Sequence, residues 1–149
     1  MGLRWEGLTP ENIIAEFERS ATITRRESKK SLRRGAKDIL EVSKSQAPID
    51  DGQLEKAHEL SIVRLNKDEM GVEITVGGTV DGVDVDFYAA EVHERMAPYG
   101  DINLGPRSRA KDDAKTVAHR FVGGKFLERA ADELQEGIIQ SVANTLPGD

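Results

Sequence analysis

His93-Glu94 is the pair in this chain nearest to a catalytic motif. A helical histidine and glutamate followed by a second histidine one turn later would hold zinc, with the glutamate as general base. Here that position is Ala97, so the metal would lack a ligand. The other histidines, His58 and His119, are scattered far from His93 and read as packing or hydrogen-bonding residues. Gly123-Gly124-Lys125 is close to a phosphate-binding loop, but the first glycine of that motif would fall on His119 and no serine or threonine follows the lysine. The run from Gly77 to Gly82 lacks the oxygen spacing of a calcium loop and reads as a strand connection. Asp84 and Asp86 alternate with apolar residues, which suits a solvated strand face better than an acid–base pair. The chain has no cysteine, which removes thiol catalysis, thiolate metal sites and disulfides together. The expectation is a protein with no catalytic residue, no metal and no cofactor.

What the sequence does arrange is charge. The net charge is −6, but it is unevenly spread. Residues 24–44 carry eight basic residues against three acids, and residues 50–101 carry thirteen acids against four basic residues. On a helix, Arg26, Lys29, Lys30, Arg33 and Lys37 fall into one band. A molecule so divided suits head-to-tail docking of identical subunits, or a basic face turned toward DNA and an acidic face turned away. A solvated helix beside a solvated acidic sheet gives the same pattern.

The elements that position these groups follow from periodicity. At 149 residues, with 38% hydrophobic, 32% charged and 5% aromatic side chains, the chain reads as one domain over 1–149 with a modest core. No apolar run reaches the roughly 18 to 20 residues of a membrane span, and the first residues lack the pattern of a signal peptide. The expected location is the cytoplasm, or a particle assembled there. Thr9, Pro10 and Glu11 start a helix. Its apolar stripe runs through Ile14, Phe17 and Ala21, then Leu32, Ala36, Ile39 and Val42 or Ser43. Between these, residues 24–31 hold no apolar side chain, so a continuous helix would stand there in water or against a partner; a break near residues 22–24 is the rival. Pro48 ends the helix. Residues 60–65, 70–76 and 83–87 predict three strands, the first two joined around Asn66-Lys67-Asp68. A short helix is expected over 88–95, a long Gly- and Pro-containing loop over 96–109, and a short basic helix over 108–120. Leu127, Ala130 or Ala131, Leu134, Ile138, Val142 and Leu146 form the stripe of a final amphipathic helix. The fold class is α+β, with N-terminal and C-terminal helices on an antiparallel sheet of three or four strands. The loop insertion over about 96–120, with Arg107, Arg109, Lys111 and Lys115, is expected to be an assembly surface that orders in a particle.

Three short stretches, in order, resemble one family. After the long helix come Ala47-Pro48, Asp50 and Gly52-Gln53-Leu54; then Tyr88-Ala89 and Val92-His93-Glu94; then Phe126-Leu127 opening the last helix. This order is similar to that of the tail-component, or tail-completion, family of long-tailed double-stranded DNA phages, small proteins of the head-to-tail neck. The resemblance implies a structural virion protein, not an enzyme: a ring homo-oligomer joining the DNA-filled head to the tail and lining the DNA passage. It implies neighbouring neck, portal-side or tail-terminator proteins, non-specific contact with packaged DNA, and no membrane. The basic band would then face DNA in the lumen or an acidic neighbour. A small DNA-associated regulator or packaging accessory that uses the same band is the alternative from another class.

Overall fold

The computed structural model describes residues 10–64, 66 and 70–147. Helix α1 runs unbroken over Pro10–Gln46, about 55 Å at 1.5 Å per residue, so the rival break near residues 22–24 is not present. The cap at Thr9, the side chains of Ile14 and Phe17, and residues 65 and 67–69 lie outside the described part. A single turn, α2 (Gln53–Lys56), leads into strand β1 (His58–Arg64), which pairs antiparallel with β2 (Met70–Val76) from His58 against Val76 to Arg64 against Met70. Strands β3 (Thr79–Val80) and β4 (Val83–Asp84) form a separate small hairpin. Helix α3 spans Asp86–Arg95, α4 spans Pro106–Asp113, a 3₁₀ turn covers Ala118–Arg120, and α5 spans Phe126–Ala143. No helix among the described residues is long and apolar enough to cross a membrane.

The α+β class with long terminal helices holds, but the four strands divide into two ribbons. The third strand expected over 83–87 is replaced by a two-residue strand and a helix start. Asp84 explains why: its carboxylate accepts the Asp86 backbone N–H at 3.0 Å, satisfying a donor at the start of α3. A five-residue alternation cannot by itself tell a strand from such a helix entry. Val85 is buried as a strand residue would be, but Val83 and Phe87 are exposed.

Helices α1 and α5 pack antiparallel through a seam of small residues. Ser28 bonds Thr145 and Ser31 bonds Ser141, each at 2.6 Å, and a Cβ on Gly35 would lie 2.4 Å from Ile138 Cγ1. The apolar-free middle of α1 is therefore covered on one side within the chain. Its other side carries the charge. The core gathers where the elements meet: Ala47, Leu54, Ala89, Val92, Met96 and Phe126 are buried, with Val76, Ile102, Leu104 and Leu127 packed around them.

Gly52 holds a left-handed backbone, φ +85°, between α1 and α2. Its missing Cβ would touch nothing, so the conformation alone demands glycine. Gly52→Val should cost about 1 to 2 kcal/mol, since a β-branched residue is strained there. A denaturant titration checks this, and an unchanged midpoint would mean the turn tolerates side chains.

Candidate functional site

Part of the set that carries the resemblance converges on the core, while Asp50, Tyr88 and Glu94 are exposed. Ala47, Leu54, Ala89, Val92 and Phe126 form most of that core, and Pro48 is buried beside them. The Phe126 ring meets the His93 ring edge-on at 4.9 Å and the His58 ring at 5.7 Å. Leu127, His93 and Glu94 line a surface concavity of about 210 Å³ together with Val76, Asp86, Ala89 and Ala90. His93 Nδ1 lies 2.8 Å from Glu94, whose other oxygen accepts from the Lys125 ammonium. Lys125 first, and His93 second, hold the Glu94 carboxyl below its ordinary range. No serine or threonine lines this concavity to be activated by the histidine. Among the described residues, no three His, Cys, Asp or Glu side chains converge to hold a metal. The arrangement packs and orients, with the Glu94 carboxylate held between His93 and Lys125.

Among the described residues, His58 is the buried titratable group. Its Nδ1–H donates to the Leu54 carbonyl at 2.9 Å, which leaves Nε2 to accept from the Ser43 hydroxyl at 2.8 Å. Burial, and then the Lys44 charge, push its pKa below the ordinary 6.5. The neutral ring therefore stabilises the fold fully above pH 6.5, and the contribution falls as the pH drops, because the unfolded chain takes the proton more readily. As the pH falls below about 6.5 the native protein should lose stability, and His58→Gln should flatten that slope. Equilibrium unfolding at several pH values tests this; equal slopes for both proteins would assign the pH dependence elsewhere.

The segment over 96–120, expected as a loop insertion, holds α4 and the 3₁₀ turn and reaches the end of α1. Lys111 Nζ donates to the Lys44 carbonyl at 2.8 Å, to the Ala47 carbonyl at 2.6 Å and to the Glu55 carboxylate. Lys115 Nζ donates to the Ser45 carbonyl, and the Gly123 N–H to that of Gln46 at 3.0 Å. The last carbonyls of a helix have no partner within it, and cations suit its negative end, so two lysines complete α1 from another element. Desolvation lowers the Lys115 pKa, with neighbouring Lys111 adding to it. Ser108, also buried, exchanges two hydrogen bonds with the Ile49 backbone. Of the four cations that the sequence offers to an assembly surface in this loop, Arg107 and Arg109 remain outermost. Arg107 bonds the Asp50 carbonyl and Arg109 bonds the Leu104 carbonyl at 2.8 Å. The inward role of Lys111 and Lys115 has no local signature, because a lysine in a polar loop looks like any surface lysine.

Two charged surfaces remain. At 100° per residue the band of Arg26, Lys29, Lys30, Arg33 and Lys37 lies about 180° around α1 from the serine–glycine seam, facing away from α5. All five are exposed. Arg26 and Lys30 approach Glu27 only at 3.6 and 3.9 Å, and Lys29, Arg33 and Lys37 make no ion pair among the described residues. The second surface surrounds the start of α3, where Tyr88 is raised above its ordinary pKa by burial and by the nearby Asp50 and Asp51. Exposed Asp81, Asp84 and Asp86 come just before it in the chain, and Phe87, next to Asp86, is 79% exposed.

Comparison with curated proteins and with solved structures finds no match. A family model described as "Bacteriophage HK97-gp10, putative tail-component" matches residues 11–94, from the first turn of α1 to the end of the Val92-His93-Glu94 triplet. With over half its length matched, and with part of the motif set packed in one core, the chain belongs to the HK97 gp10-like family of bacteriophage tail components.

Proposed function

We propose that this tail component works at the head-to-tail joint of a long-tailed phage, as a ring of identical subunits around the DNA passage. The observation that carries the reading is the separation of charge on a rigid body. A basic band lies on the free side of a 37-residue helix, and an acidic surface lies on the α2–α3 side. A closed ring needs two different, complementary faces on each subunit, and this chain has two. The band's cations are aimed outward and largely uncommitted, so they can meet phosphates without reading sequence, or carboxylates of an adjoining protein. The adjoining proteins would be portal-side, neck or tail-terminator components, and no step requires a reacting side chain or cofactor. Reconstruction of the intact particle tests the reading: a ring of this chain between head and tail is expected. A single copy per particle, or copies distributed along the tail tube, would overturn it.

A further inference from the structure

We propose that Phe87, with Val83 and Tyr88 beside it, is the anchor of the contact between neighbouring subunits, and docks on the row of α1 that runs from Ile23 to Lys37 of a second copy. This rests on the ring reading above and names its interface. Phe87 is the most exposed large apolar residue of those described, and Val83 and Tyr88 are exposed too. The three occupy one stretch of six residues. Their backbone is held firmly: Asp86 Oδ1 accepts the Gly78 N–H at 2.5 Å, and the Val85 N–H donates to the Gly78 carbonyl at 2.9 Å. An aromatic presented on a fixed ridge loses little freedom on docking, and such residues supply much of the energy at interfaces.

Charge decides the occupant. The ridge carries Asp81, Asp84 and Asp86, with Asp50 and Asp51 near Tyr88. Lys56 pairs with Asp81 at 3.0 Å and Arg107 reaches the Asp50 backbone, which leaves the acids in excess. A surface of that sign repels phosphate and calls for cations around an apolar contact. The α1 row has that composition: exposed Ile23, then Arg26, Lys30, Arg33 and Lys37 at steps of three and four residues, over about 21 Å. Ile23 can meet Phe87, and a guanidinium or ammonium of the row can lie over its ring while the flanking carboxylates pair with the others. Because the ridge and the row belong to different elements of one chain, each subunit can use both, and the contact repeats from copy to copy.

The absence of cysteine makes the test direct, since two introduced thiols can report only on each other. Arg34→Cys on α1 and Ala90→Cys, one turn after Phe87, leave the anchor and the row intact; the two full-length variants are purified separately, mixed in equal amounts and mildly oxidised. The mixed disulfide should exceed either homodimer about tenfold, and raised salt should reduce it, because the pairing is partly electrostatic. The double variant should give a ladder of multimers. Mixed and like pairs formed at the frequency of random collision would overturn the contact. So would short duplex DNA protecting the Arg34→Cys thiol from alkylation while no mixed disulfide forms. The same double variant in particles separates the two readings. A ring seen without 34–90 cross-links overturns this interface alone, whereas a single copy per particle overturns the ring itself.

Discussion

Phe126→Ala should lower the thermal midpoint by about 12 to 20 °C. Phe126 is completely buried, lies between the rings of His58 and His93, and belongs to the same core as Ala47, Leu54, Ala89, Val92 and Met96. Truncating such a ring removes its transfer energy and leaves a cavity, together costing about 3 to 5 kcal/mol. For a chain of this size each kcal/mol shifts the midpoint by roughly 4 °C. That is a large share of the about 5 to 15 kcal/mol that holds a domain together. Calorimetry gives the answer, and a drop of only a few degrees would mean that the α3–α5 junction is not the centre of the core.

The second large effect is functional. Lys29→Glu, Lys30→Glu and Arg33→Glu combined should leave the melting temperature nearly unchanged, because exposed charges contribute about 0 to 1 kcal/mol each. The same triple reversal turns a cationic band into a mixed one, and should reduce the yield of joined, infectious particles about tenfold or more whether the band meets phosphate or carboxylate. Complementation of a phage lacking the gene, with electron microscopy of the lysate, should show heads and tails accumulating apart. Normal joining by this variant would return the band to a solvated helix face.

Long periodic elements were legible because their signal accumulates over many residues. Pro10 marked the start of α1, Pro48 lay just past its end, and the stripe from Leu127 onward located α5. Gly52 could be assigned to a turn because few residues other than glycine suit one with φ +85°. The start of α3 was misread because Asp84 and Asp86 look alike in a strand and in a helix entry, and only the hydrogen bond to the Asp86 N–H separates the two. That misreading hid Phe87, which a strand would have turned toward the core. The α1–α5 seam was equally hidden, since serine and glycine carry no hydropathy signal; the spacing of Ser28, Ser31 and Gly35 was its only trace. The resemblance motifs were readable as a set, but their role was not. Ala47, Leu54, Ala89, Val92 and Phe126 pack together in the core, while Asp50, Tyr88 and Glu94 stay at the surface, and nothing in their spacing separates the two groups.

The capping of α1 also imposes an order on the birth of the molecule. The helix is made first, yet the groups that complete its end come from Lys111 and Lys115, 64 to 70 residues later in the chain. During synthesis the carbonyls at the end of α1 must stay in water until the loop has left the ribosome, and the core must wait longer still for Phe126. Closure over such separations is slow compared with helix formation. The nascent chain therefore holds a long basic helix without its anchor for much of its synthesis. Until Lys111 and Lys115 have emerged the chain lacks the cap of α1, and until Phe126 has emerged it lacks the ring at the centre of its core, so the fold settles only late in synthesis.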